Sequence, residues 1–250
     1  MDTHIGIQDK EYLRMRLDPR RGDPEYLHLS DLVTALRSYG TEEALTILDY
    51  GSGGAPYQSL FPKANYKKAD VGEVSNIDYV IGYDGRIDEE DETFDLILST
   101  QVAEHVHYPR EYFDECYRLL RLGGLLLCTT HGNYPEHGCP YDFQRWTAEG
   151  LARDLVRSGF EIDQVLKLTT NGRAVMYLIQ RFSGWFETPS SIISPFFRII
   201  RSFMHRFPRV WHRLADNAFQ SQRIVETSEA GNEFYIGLLV AARKRHAKAN

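Results

Sequence analysis

The chain has 250 residues, 42% of them hydrophobic and 26% charged, and a formal net charge of −6. That composition excludes disordered and fibrous classes and predicts one main domain able to bury its own core. The acidic balance, with a pI near 5.9, argues against the surplus of Lys and Arg that a nucleic-acid footprint needs.

Cys116, Cys128 and Cys139 are odd in number and lack paired metal spacing, which points to a reducing compartment and to no resident metal. Met1 to Asp9 carry charges and no apolar run of signal-peptide length, and no window holds the roughly 18 apolar residues of a spanning helix. The expectation is a cytoplasmic protein that neither crosses a membrane nor is exported.

Within an N-terminal segment, 1–45, Leu29, Leu32, Val33 and Leu36 fall on one helix face and predict a covering helix. Thr46 to Tyr50 is a short apolar strand that runs into Gly51-Ser52-Gly53-Gly54, where the backbone must turn tightly. Further strands are predicted at Tyr66 to Ala69, Asp78 to Gly82, Phe94 to Thr100 and Leu125 to Thr130. A helix from Pro109 to Leu120 carries Tyr112, Phe113, Cys116, Leu119 and Leu120 on one face, with proline in its tolerant first turn. Near-continuous apolar strands such as Leu96-Ile97-Leu98 and Leu125-Leu126-Leu127 suit a parallel sheet covered on both faces. Thr147 reads as an N-cap for a helix that Gly159 ends before a strand from Phe160 to Leu168. The fold class is therefore α/β, a doubly wound, mostly parallel sheet in which strands and helices alternate, with its core over 46–170.

Residues 171–230 form a helical insertion before the last strand. From Gln180 to Gln222 six arginines face only Glu187 and Asp216, and nine Phe or Trp residues are interleaved among them. Ile192, Ile193, Phe196, Phe197, Ile200, Phe203, Met204 and Phe207 recur at helical spacing as one apolar stripe. The insertion reads as a lid over the site, a homodimer interface, or a peripheral membrane contact with anionic lipid, the first two being preferred. A final strand from Phe234 to Ala242 and a basic tail complete the segment 231–250.

A strand opening into glycines at the carboxyl edge of a parallel sheet lets a ligand approach the backbone, and aims the amide dipoles of the next helix at it. Pro56 stands where a dinucleotide fingerprint needs its third glycine, which disfavours nicotinamide cofactors. Asp49, two residues before Gly51, is poorly placed beside a pyrophosphate and suits a ligand carrying an ammonium and a sulfonium charge, as S-adenosylmethionine does.

At this point Leu48-Asp49-Tyr50-Gly51-Ser52-Gly53-Gly54-Ala55 resembles the first strand and loop of class I methyltransferases, particularly the bacterial small-molecule type 11 group. The resemblance runs from about Leu45 to Leu168 and implies a seven-stranded sheet and S-adenosylmethionine as cofactor. It implies cofactor contacts from Asp49, Gly51, Ser52 and Gly53. Ala55 replaces the third family glycine. Asp70 matches the acid at the end of the second strand that holds the ribose hydroxyls, and Asp84-Gly85 matches the adenine position. Phe94 to Val106 is similar to the family's fourth strand and following turn, with Thr100 and Gln101 at the cofactor. Leu119 to Gly124 resembles the turn into strand five, with Leu122 in place of the usual proline.

His105, His131 and His137 all follow strand ends on that edge, and histidine titrates near working pH. The run His131 to Thr147 resembles one in methyltransferases of sugar and glycan pathways. His137 is the candidate base with His105 beside it, and His131, Tyr141, Asp142 and Arg145 shape the acceptor site. Blander readings stand beside these: His105 capping a turn, Asp142 and Arg145 as a loop-anchoring ion pair. His131, His137, Cys139 and Asp142 match no familiar metal spacing. The sequence thus predicts a methyltransferase acting on a hydroxyl or amine of a small sugar, nucleotide-sugar or glycan precursor. The alternative is a cofactor-binding module used for protein contacts without catalysis.

Overall fold

The structure, a computed structural model, describes residues 10–72, 76–183, 194–227 and 231–245. Met1 to Asp9, Glu187, Ile192, Ile193 and the end of the basic tail lie outside them, as do the side chains of Phe196 and Phe197. Two helices, α1 (Lys10–Leu17) and α2 (Tyr26–Arg37), precede the strands β1 (Thr46–Tyr50), β2 (Asn65–Asp70), β3 (Tyr79–Val80) and β4 (Phe94–Thr100). Then come α3 (Pro109–Leu119), β5 (Leu120–His131), α4 (Ala148–Arg157), β6 (Phe160–Thr170), α5 (Asn171–Phe182), α6 (Ser194–Arg206), α7 (Pro208–Ala218), β7 (Ile224–Glu226) and β8 (Tyr235–Lys244).

The strands form one eight-stranded sheet in the order β3-β2-β1-β4-β5-β8-β6-β7. β1 to β5 pair parallel, whereas β8 runs antiparallel between β5 and β6. The expected seven strands become eight because the chain, leaving the insertion, lays the three-residue β7 antiparallel along the free edge of β6. The turn expected at Leu119 to Gly124 is absorbed into β5, which starts at Leu120 immediately after α3.

Both faces of the sheet are covered, as its near-continuous apolar strands require. On one face α3 and α4 pack Tyr112, Phe113, Leu151 and Leu155 against Leu48, Ile97 and Leu126. On the other, Leu29, Leu32, Val33 and Leu36 of α2 meet Ile47, Leu96, Leu98 and Leu127. The expected alternation of strand and helix holds only after β4. Among the described residues no α-helix lies between β1 and β4, and β1 is followed by a three-residue 3-10 turn, Gln58–Leu60. Pro56 and Pro62 and the glycines between 51 and 54 leave this stretch too short of helix formers. The N-terminal helices cover that face in place of the missing crossover helix, and α1 forms one wall of a groove of about 600 Å³ whose other wall is Ala55 to Ala64.

The insertion is anchored from beneath. Arg173 of α5 is fully buried and grips Asp31 of α2 with Nε and Nη2, at 2.7 and 3.0 Å, and Asp216 of α7 with Nη1, at 2.9 Å. On the predicted stripe Met204 is buried and Ile200 partly buried, whereas Phe203 and Phe207 are exposed, as are Ile199 beside the stripe and Val210 and Leu214 of α7. No described helix is long and apolar enough to cross a membrane.

Candidate active site

The carboxyl ends of β1, β2 and β4 lie side by side, since β1 pairs with both neighbours. In β1 successive side chains alternate faces, so Asp49 shares the Ile47 face under α2 and is almost completely buried. The Tyr66 hydroxyl donates to its Oδ2 at 2.7 Å. Burial pushes the Asp49 carboxyl up to about 7, and the nearby Asp70 charge adds to the rise. Tyr50, on the opposite face, donates from its hydroxyl to the Gly85 carbonyl at 2.5 Å and so ties the end of β1 to the loop after β3.

The glycine loop has physical reasons for its composition. Gly51 has φ +75°, and a Cβ there would stand 2.4 Å from Cγ2 of Val102, which follows β4. Ala55 takes φ 51°, so the residue replacing the third glycine adopts the glycine's left-handed conformation. The amides of Gly51 and Ser52 both donate to the Ala69 carbonyl, at 2.8 and 3.0 Å. Gly53 N donates to Asp70 Oδ2 at 2.6 Å, while Asp70 Oδ1 accepts from Val71 N at 2.8 Å. Asp70 thus stands at the end of β2 and fixes the loop at once. The Ser52 hydroxyl is buried in this loop without a hydrogen-bond partner. The space beside Gly51 is taken by Val102, while the orphaned Ser52 hydroxyl and the buried Asp49 carboxylate fit a cationic ligand such as S-adenosylmethionine.

Thr100 closes β4, and Gln101, at φ 58°, donates its amide to the Thr129 carbonyl at 2.9 Å. Asp84 is exposed and turns its Oδ1 back to the Arg86 amide at 3.1 Å, beside Gly85 at φ +81°. The helix dipole expected after the loop is missing, because the 3-10 turn is too short to supply one.

Next to this edge, β5 ends in His131 and β4 is followed by a 3-10 turn, Ala103–His105. Glu104, absent from the sequence-based candidates, is fully buried there. Its Oε1 meets His131 Nδ1 at 2.5 Å, and its Oε2 accepts from the Thr130 hydroxyl at 2.7 Å. His105, His131 and His137 do come together: the His137 ring packs edge-on to the other two, with centroids 4.8 Å from each. Burial, followed by the charges of His131 and His105, lowers the His137 proton affinity to about 4. His137 Nδ1 is buried without a hydrogen-bond partner, 3.5 Å from Asp142 Oδ2.

Asp142 and Arg145 form a two-pronged pair at 2.5 and 2.7 Å. The pair anchors the loop: Arg145 also donates to the carbonyls of Tyr134, Pro135 and Gln144, and Asp142 accepts the His137 amide at 2.9 Å. Tyr141 contributes its carbonyl to His105 Nδ1 at 2.5 Å, while its side chain is 60% exposed. Beneath the cluster lies His28 of α2, a second residue the sequence reading passed over. Its ring is 5.8 Å from that of His131, and a Cβ at Gly237 of β8 would stand 2.8 Å from its Cε1. Tyr134 stacks on His131 at 3.9 Å, and Tyr177 of α5 lies behind it at 6.3 Å.

Residues 48–128 match a family model described as a methyltransferase domain, of the type 11 group. A ubiquinone biosynthesis O-methyltransferase of Maricaulis maris is 36% identical over an alignment 104 positions long that covers 35% of this chain and 41% of that protein. The chain therefore aligns with less than half the length of that curated relative. Among solved structures, the phosphoethanolamine N-methyltransferase 2 of Haemonchus contortus, in complex with phosphomonomethylethanolamine and S-adenosylhomocysteine, superposes with a TM-score of 0.54 at 16% identity. That superposition covers 98% of this chain and 58% of the other. The 4+2 cyclase SpnF shares the fold at a TM-score of 0.53 and 17% identity, over 87% of this chain and 81% of its own. Residues 48–128, which carry the glycine loop and strands β1 to β5, are thus similar to the methyltransferase domain family of the type 11 group, and the sheet shares the fold of these methyltransferase structures.

Proposed function

We propose that the chain moves the methyl group of S-adenosylmethionine to a hydroxyl oxygen of a small acceptor. The observation that carries this reading is the juxtaposition of the glycine loop at β1 with three histidines at the ends of β4 and β5. The Maricaulis maris relative, an O-methyltransferase by name, supports oxygen as the acceptor atom. A cyclase on the same fold shows why the site, and not the fold, must carry the argument.

Bound S-adenosylmethionine supplies a methyl carbon already activated by positive sulfur. Asp49 sets a negative charge opposite the cationic ligand, and Ser52 offers a hydroxyl otherwise unpartnered. A carbonyl only accepts hydrogen bonds, so the contact with the Tyr141 oxygen places the proton of His105 on Nδ1 and leaves the Nε2 lone pair as the base. The acceptor hydroxyl gives its proton to that nitrogen as its oxygen bonds to the methyl carbon, and the electron pair of the broken carbon–sulfur bond returns to sulfur. Alignment of the two partners supplies much of the rate.

Asp142 and Arg145 are consumed by each other and by the loop, and Glu104 by Thr130 and His131, which leaves few free polar groups for the many hydroxyls of a sugar. Tyr134, partly exposed and backed by the buried rings of His131 and Tyr177, suits a flat ring better, so the acceptor class proposed is a hydroxylated aromatic ring. The test is transfer of a labelled methyl group to a panel of catechols, sugars and amines. Label on a catechol oxygen is expected, with kcat reduced on the order of 100-fold or more in His105→Ala at unchanged S-adenosylhomocysteine affinity. Label appearing on sugars or amines alone would refute the assignment.

A further inference from the structure

Glu104, His131 and His137 offer ligand atoms that all lie within 4.8 Å of one another. Two imidazoles and one carboxylate are a donor set that holds zinc and neighbouring divalent transition metals, at about 2.0–2.2 Å per bond, in preference to magnesium or calcium. Sequence spacing concealed it, because Glu104 follows β4 while the histidines lie at the end of β5 and in the loop beyond.

A side-chain cluster alone could be a buried hydrogen-bond network. Two observations go further. His137 Nδ1 is buried beside the cluster without a hydrogen bond, its nearest carboxylate oxygen being Asp142 Oδ2 at 3.5 Å, and both ring nitrogens of His28, 3% exposed and 5.8 Å from His131, are buried without one. Buried polar atoms are normally satisfied, so unpartnered imidazole nitrogens in one place point to a missing electrophile. The surroundings also suit a held ion. Thr130 donates to the second oxygen of Glu104, and the Asp142–Arg145 pair clamps the His137 backbone, the kind of outer contact that fixes metal ligands.

We infer that Glu104, His131 and His137 hold a divalent transition-metal ion of the zinc class beside the acceptor. His131 Nδ1 and Glu104 Oε1 are now hydrogen-bonded to each other, and for both atoms to face the ion the proton between them must leave, so binding releases a proton. For its use the inference rests on the proposed reaction: the ion takes the acceptor oxygen and lowers its proton affinity, while His105 receives the proton.

The full chain, stripped with a chelator, is titrated calorimetrically with Zn2+ and Mg2+ in two buffers of different protonation enthalpy, and the absorption of its Co2+ form is recorded. Expected are one Zn2+ per chain with proton release, no comparable Mg2+ binding, and visible Co2+ bands. His137→Ala should weaken Zn2+ binding on the order of 100-fold. Glu104→Gln should do the same, while His107→Ala on the exposed surface should change nothing. His137 lies in a partly exposed loop, so its variant keeps the test open if Glu104→Gln fails to fold. Equal Zn2+ affinity in the parent and His137→Ala, in folded samples, overturns the site. S-adenosylhomocysteine is titrated alongside: its binding without Zn2+ sinks this inference alone, and Zn2+ binding without it sinks the methyl-transfer reading alone.

Discussion

At the end of β1 the site is made by backbone. Glycines with positive φ, amides donating to the Ala69 carbonyl and one carboxylate capping the loop lie within a short stretch of β1 and β2. At the end of β5 it is made by side chains from distant segments: His28 from α2, Glu104 after β4, His131 and His137 around the end of β5, and Tyr177 from α5. The first arrangement can be read from neighbouring letters; the second exists only once the helices dock. The comparison teaches that the edge at β1 depends on local backbone geometry, whereas the edge at β5 depends on what holds α2, α5 and α7 together.

Arg173→Ala separates the two edges most forcefully. Removing it leaves buried Asp31 with Arg223 and Asp216 with Arg21 as their remaining ion-pair partners, a change that costs about 3 kcal/mol of stability. Chemical denaturation should show that loss, and the protein that remains folded should still bind S-adenosylhomocysteine. Equal loss of ligand binding in the folded fraction would mean that the edges are not separable.

Gly51→Val is the converse experiment. Its side chain would need a positive φ and would collide with Val102, so cofactor affinity should fall on the order of 100-fold or more. The Zn2+ affinity of the histidine cluster should survive. A calorimetric pair of titrations on this one variant reads both outcomes.

A smaller effect concerns Asp49. Its folded-state proton affinity is raised by burial to about 7, so the ligand-free protein is penalised for ionising it: the favourable contribution present at low pH is lost as pH rises toward 7. A cationic ligand needs the ionised form. S-adenosylmethionine affinity should therefore weaken about tenfold from pH 8 to pH 6. Asp49→Asn should flatten that dependence and raise the Tm of the ligand-free protein at pH 8. A pH-independent affinity in the parent would contradict the placement of a positive group beside Asp49.

How much was legible follows from the same contrast. The sheet, its apolar strands and the loop from Asp49 to Gly53 were readable because each is a local pattern with one geometric solution. The missing crossover helix was hidden in Pro56 and Pro62, whose effect is plain only when no apolar period survives between them. His28 was overlooked because α2 is buried over most of its surface, including His28, Ser30 and Asp31. A stripe through Leu29, Leu32 and Leu36 therefore describes only part of the helix. Glu104 lay in plain view inside the fourth-strand motif. A carboxylate in an otherwise apolar Val102-Ala103 turn was the signal, since burial there demands a partner.

The central claim is that the loop after β1 binds S-adenosylmethionine and that an acceptor meets it at the histidines. The most direct measurement is calorimetric titration of the purified chain with S-adenosylmethionine, S-adenosylhomocysteine and NAD, followed by the same titrations on Gly51→Val. The account predicts one site for each sulfur ligand, silence from NAD and loss of both signals in the variant. A folded parent that gives no heat with either sulfur ligand, or a variant that binds them as the parent does, would contradict it.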